Sequence, residues 1–220
     1  LFAPQQRRSV FEPAASEVVF RIAASDYLDP FFLPGVVQRI KAAAPLAQLE
    51  MHPLSAEFDY RRKLAAGDVD LVVGNWLRPP DELHLGHLLD DEVVCLVAAD
   101  HAAALGRSGA RGWGVERYLQ SEHVAPIALH AGAPGVIDQH LQAQGLQRHI
   151  VVRAAHFGLI PLMVARSRLV LTTGRLFCTR YLQALDLREL FPGQASAELD
   201  TVQQAYCMTA VGAALRQEAD

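Results

Sequence analysis

At 220 residues, with 51% apolar and 20% charged side chains, the chain can build one large or two small packed domains and is too apolar for a disordered segment. Its net charge of −4 argues against direct contact with a phosphate backbone, which asks for a basic surface. No uninterrupted apolar run approaches the roughly 20 residues that span a bilayer, and the start, LFAPQQRRSVFEP, lacks the long apolar core of a signal peptide.

Residues 18–24 alternate and are rich in β-branched side chains, so they predict a strand. Residues 31–44 carry Phe32, Val36, Val37, Ile40 and Ala44 at helical spacing; Asp29 suits the cap, Pro30 the first turn, and Pro45 the stop. A second strand follows at 48–54. A helix at 57–66 is closed by Gly67, and a short apolar strand at 70–74 has the character of a buried parallel strand. This β-α-β-α-β series is an α/β signature. Two more strands are expected at 83–89 and 92–98, joined at Asp90-Asp91-Glu92, which reads as a solvated acidic turn. The soft stretch HAAALGRSGARGWG then reads as a linker or crossover.

The second half repeats the alternation. Helices are expected at 115–119, 136–144 (closed by Gly145), 159–165 and 175–182. Strands are expected at 123–128, 149–154 and 169–173. A long strand at 199–209 and a short helix at 211–217 end the chain. Cys95, Cys178 and Cys207 are widely spaced in apolar segments without a CxxC pair, as expected of buried reduced thiols in a cytosolic protein.

In open α/β sheets ligands sit beyond the carboxyl ends of strands and between domains. That rule selects Ser25 and Asp26 after the first strand, and Asn75 and Trp76 after the third. In the second half it selects His130, then His156 and Phe157, then Thr173. Ser25 and Thr173 place hydroxyls beside helix starts, where they either cap the helix or help to hold an anion. His130 and His156 can donate to an anion or phenol, or stand as histidines without a ligand. Phe31 and Phe32 can stack on a ring or belong to the core; Trp76 can cover a pocket or an apolar patch. His84 and His87 lie three apart in a strand, which turns them to opposite faces and away from a shared metal. The chain contains no GxSxG, Walker, GxGxxG or HExxH motif.

The segments FRIAASDYLDPFFLPGVVQRIKAAAP, KLAAGDVDLVVG and VVCLVAADH together resemble the effector-binding domain of LysR-type transcriptional regulators, from about Glu17 onward. Ala102 stands where the family often has Pro after His. SDYLDPFFLP, IALHAG and AAHFGLIPLM are similar to the branch that senses salicylate and nitro- or chloro-aromatic compounds. The resemblance implies the type 2 periplasmic-binding-protein fold: two Rossmann-like α/β subdomains joined by two crossover strands, expected near 98–101 and 199–203. Subdomain I would be 17–99 with 203–220, and subdomain II 100–202. Residues 1–16 would be the end of a linker from an N-terminal winged helix-turn-helix. Thr209-Ala210 running directly into Val211 departs from the family, whose last strand usually leads into a further loop.

The same resemblance implies a cytoplasmic sensor that is not an enzyme and needs no cofactor or metal. It would bind a small aromatic acid or phenol between its halves. Phe31 and Phe32 would contact the ring, His156 its polar groups and Ser25 its acid group; His130 falls where relatives have Asn. The partners implied are a second copy of the chain, in a homodimer or homotetramer, and DNA through the N-terminal domain alone, with RNA polymerase as a further candidate and no membrane. In the dimer, helix 31–44 would lie against helix 136–144 of the other chain. A solute-binding protein of the same fold, or an α/β enzyme using His130 or His156 as acid or base, are the alternative readings.

Overall fold

The computed structural model describes residues 12–55, 57–75, 83–105, 113–127, 134–190 and 211–215. The expected strand at 199–209, the second crossover, Cys207, Trp76, His130 and residues 1–11 lie outside them.

The first half runs β1 (Val19–Ala24), α1 (Phe32–Ala43), β2 (Gln48–Pro53), α2 (Tyr60–Ala66), β3 (Leu71–Asn75) and β4 (His84–Leu89). Each element starts and stops for a local reason. Asp29 Oδ1 accepts the Phe31 N–H at 2.8 Å and so prepares the first turn of α1. Lys41 Nζ donates to the Pro45 and Ala47 carbonyls just past its end. Asp59 caps α2 by accepting the Arg62 N–H at 3.2 Å, which moves the helix start three residues past the expected one. Gly67 ends α2 with φ +74°, a conformation that favours glycine.

The second half runs β5 (Val93–Ala98), α3 (Ala102–Leu105), α4 (Val115–Gln120), β6 (Glu122–Pro126), α5 (Val136–Ala143), β7 (His149–Ala154), a 3-10 turn (Phe157–Leu159), α6 (Ile160–Val164), β8 (Val170–Gly174), α7 (Arg175–Ala184) and β9 (Leu187–Leu190). Gly145, with φ +71°, follows α5 as expected. The chain then returns to the first sheet as β10 (Val211–Leu215).

There are two five-stranded sheets, ordered β2-β1-β3-β10-β4 and β7-β6-β8-β5-β9. In each, three parallel strands adjoin one antiparallel strand and a last strand antiparallel to that one. Two sequence expectations change here. Residues 211–215 form a strand rather than a helix, because their backbone pairs with both β3 and β4 and this tertiary pairing outweighs the helix preference of Ala. The first crossing also falls earlier than 98–101. β5 belongs wholly to the second sheet, so the chain changes sheets at residues 90–92.

The acidic turn at that crossing is therefore a clamp rather than a solvated bend. Glu92 O accepts the Arg175 N–H at 2.8 Å, and its carboxylate pairs with the Arg175 guanidinium, which also reaches Glu189 at 2.9 Å. Asp91 Oδ1 accepts the Leu176 N–H at 3.1 Å and so caps α7, whose own cap residue Gly174 has no side chain to offer. Burial pushes the Asp91 carboxyl above its ordinary pKa, opposed by these backbone donors.

β5 is buried along its whole length. Val93, Cys95 and Val97 pack with Trp113, Tyr118, Ile137 and Leu141 on one face; Val94 and Leu96 pack with Phe157, Ile160, Val164 and Phe177 on the other. In the first half, α1 lays Phe32, Leu33, Val36 and Ile40 on Ile22, Ala24, Leu28 and Val73. α2 covers the opposite face through Tyr60 and Leu64 against Ala23 and Val72.

A polar layer runs through the core of the second half. Arg148, 6% exposed, forms a forked pair with Asp138 at 2.7 and 3.1 Å. Tyr118 Oη bonds Thr172 Oγ1 at 2.9 Å. His123, fully buried, places Nε2 2.7 Å from the Tyr118 carbonyl. Burial lowers the His123 pKa to about 4, and the Arg148 charge acts in the same direction.

Asp138→Ala strands the buried Arg148 charge and should cost about 3–5 kcal/mol in urea unfolding, whereas a surface carboxylate such as Asp186 should cost under about 1 kcal/mol. The unfolded chain protonates His123 near its ordinary pKa of 6.5, and the folded chain only near 4. Stability is therefore lost as pH falls through that window, by roughly 3 kcal/mol from this group at the acid end. His123→Gln should flatten the fall in unfolding free energy between neutral pH and pH of about 4.5.

Candidate functional site

Strand order reverses around β1, which is flanked by β2 and β3, so its carboxyl end is a switch point where open α/β sheets bind ligands. The Ser25 N–H continues the ladder to the Val73 carbonyl at 3.3 Å. The residue is 2% exposed, and its hydroxyl finds no hydrogen-bond partner among the described residues. A buried hydroxyl left unmatched costs free energy that a ligand group can recover.

From the next residue on, the chain touches the second half. Asp26 Oδ2 accepts the Phe157 N–H at 3.1 Å. The Tyr27 ring meets the Phe157 ring edge-on, 5.9 Å between centroids. Phe31, 57% exposed, lies under the Arg180 guanidinium at 4.4 Å. Tyr181 Oη donates to the Gly158 carbonyl at 3.3 Å. Burial raises the Tyr181 pKa, and the Asp26 charge adds to the rise. Asp26, Tyr27 and Phe31 of the first half thus meet Phe157 and Arg180 of the second across one seam.

Of the residues the sequence selected, the seam gathers Ser25, Asp26, Phe31 and the Phe157 N–H. His156 is exposed on the turn just before Phe157. The Phe157 ring is buried in the core against Phe177, so only its backbone and ring edge serve the seam. Phe32 turns onto the first-half core. Thr173 is buried in β8 opposite Val94. Asn75 ends β3 opposite Val211. Neither Ser25 nor Thr173 caps a helix; Asp29 and Asp91 supply those donors' partners.

Tyr27, Arg180 and Tyr181 were not selected. Tyr27 lay inside the conspicuous SDYLDP stretch, a signal that could have found it. Nothing local marks Arg180 and Tyr181, because only the packing of the halves brings them to the seam.

The seam offers a free hydroxyl, a carboxylate, an exposed ring and a cation. Among the described residues the Ser25 hydroxyl has no base upon it. Cys95 and Cys178 are buried free thiols with raised pKa values, that of Cys95 to about 11. Among the described residues no helix is long and apolar enough to cross a membrane.

The family model for the LysR substrate binding domain matches residues 15–206. Nodulation protein D 1 of Bradyrhizobium sp. (strain NC92) is 30% identical over 154 residues, which cover 70% of this chain and 47% of that one. The HTH-type transcriptional activator NagR of a Ralstonia species is 27% identical over 178 residues, 79% of this chain and 55% of that one. The chain spans about half the length of these curated relatives. The crystal structure of a probable transcriptional regulator, PA0477, from Pseudomonas aeruginosa superposes with a TM-score of 0.74 at 23% identity, covering 96% of this chain and 66% of that one. A doubled α/β architecture and a family match over most of its length make the chain a member of the LysR substrate-binding-domain family, the effector-binding domain of a LysR-type transcriptional regulator.

Proposed function

We propose that this domain senses a small aromatic acid or phenol held between its halves. The observation that carries the reading is the unmatched, buried Ser25 hydroxyl next in sequence to the Asp26 that bridges to Phe157, with Phe31 exposed later in the same segment. The effector ring lies against Phe31. Its polar group meets Ser25, with His156 within the same neighbourhood. Asn75, Trp76, His130 and Thr173 remain proposed contributors from the surrounding strand ends.

Binding acts by favouring one relative placement of the halves, so the effector needs unequal affinity for two states and no chemistry. In a cytoplasmic oligomer, a dimer or tetramer of this chain, the change passes to DNA-binding heads supplied by an N-terminal domain, and from there to RNA polymerase. α1 and α5 occupy equivalent places, each following the central strand of its three-stranded parallel unit and leading to that unit's edge strand. That equivalence supports an antiparallel pairing of α1 with α5 of a second copy.

Thermal shifts against salicylate, benzoates, chlorophenols and nitroaromatics, with amino acids and sugars as controls, test the ligand class. A ligand at 100 times its Kd stabilises by about 2.7 kcal/mol, worth several degrees in a domain of this size. Selective shifts with ring-bearing acids or phenols are expected; shifts with amino acids or sugars alone would contradict the reading. His156→Ala and Phe31→Ala should each weaken binding, by on the order of tenfold, and leave the domain folded. Phe32→Ala should lower the melting temperature of the unliganded domain instead, because Phe32 packs on the first-half core.

A further inference from the structure

Resting on that effector site, we propose that Asp26 is its specificity-determining residue, selecting ligands that present a hydroxyl or N–H donor to the seam over ligands that present a carboxylate there.

The donor that an incoming acid group would seek on the second half is the Phe157 N–H, and Asp26 Oδ2 already takes it at 3.1 Å. A ligand carboxylate entering beside Ser25 therefore meets an occupied donor and a like charge one residue away. Like charges at such range repel strongly in a partly desolvated seam. A phenolic hydroxyl meets the opposite situation. Asp26 has further lone pairs to accept its proton, and the Ser25 hydroxyl, 2% exposed and unpartnered, completes its remaining bond.

The neighbouring groups deepen this bias. The Gly158 carbonyl is turned to the same seam and is satisfied by Tyr181 Oη at 3.3 Å. The Tyr181 pKa is raised by burial and then by Asp26, so the negative field of Asp26 extends to that ring. Arg180 is the cation at this place among the described residues, and its guanidinium lies over the Phe31 ring on the exposed side. A donor-bearing ligand would leave the Asp26 carboxylate and the Ser25 hydroxyl both matched.

Phenol and benzoate share a ring and differ in this respect, so they are the probes. Their affinities are to be measured by calorimetry and by thermal shift on the parent chain and on Asp26→Asn, which keeps an oxygen for the Phe157 N–H and removes the charge. The parent should prefer phenol. In Asp26→Asn benzoate should bind at least tenfold more tightly than in the parent, and phenol no more tightly. In the parent, raising ionic strength should strengthen benzoate binding by screening the repulsion, a readout that needs no variant. Should Asp26→Asn fold poorly, the salt series decides. Benzoate bound equally by parent and variant, with no salt dependence, would overturn the role of Asp26 while leaving an aromatic site in place. Failure of both probes to bind either protein would overturn the aromatic reading and this proposal together.

Discussion

The bond from the Phe157 N–H to the Asp26 carboxylate joins the two halves where Tyr27 of the first packs on the core of the second. Its acceptor stands two residues past the end of β1, at the switch point of the first sheet. Its donor belongs to a residue whose ring is locked in the second core, 4.6 Å from Phe177. The bond therefore connects a strand end on one side to rigid packing on the other, and any change in its geometry moves whole halves rather than loops. A hydrogen bond is directional, so this contact fixes orientation where an apolar one would tolerate sliding. The Tyr27 edge contact and the Phe31–Arg180 stack surround it and reinforce the same alignment.

α7 connects this seam to the crossing between the sheets. Its first residues are clamped by Asp91 and Glu92, and its later residue Arg180 lies over Phe31 of the first half. α7 thus runs from the crossing to the seam. The two sheets share a strand plan, and the antiparallel strand of each is the one that follows a crossing: β5 in the second sheet and β10 in the first. The second half is one continuous run from β5 to β9, whereas the first is completed only when the chain returns as β10. The buried Arg148–Asp138 pair lies on the face of the second sheet that holds Trp113 and Tyr118, away from the face that holds Phe157.

Much of this was legible in the sequence because it rests on local chemistry. Period-two and period-3.6 patterns located most strands and helices but not α3, in a stretch read as linker, nor β9, and Gly67 and Gly145 marked ends where the chain takes positive φ. The conspicuous Ser25-Asp26 junction and the exposed Phe31 did fall at the seam. What was not legible depends on distant partners. Val211–Leu215 is an Ala-containing segment that reads as helix and becomes strand because two neighbours offer it a ladder. Asp90-Asp91-Glu92 reads as a surface turn, and its role appears only when Arg175 and Leu176 arrive from more than 80 positions away. Phe31 and Phe32 look equivalent in a string, yet the helical turn sends one to the core and leaves the other on the rim.

The most direct test of effector binding at the end of β1 is a titration of the isotope-labelled domain, following backbone amide resonances as an aromatic ligand is added. If the effector sits on the seam, the Ser25, Asp26 and Phe157 amides should shift together and saturate with one Kd, with Arg180 and Tyr181 following. Shifts confined instead to the outer face of the second sheet, around Trp113, Tyr118 and Arg148, would place the ligand elsewhere and contradict a sensor built on the Asp26–Phe157 contact.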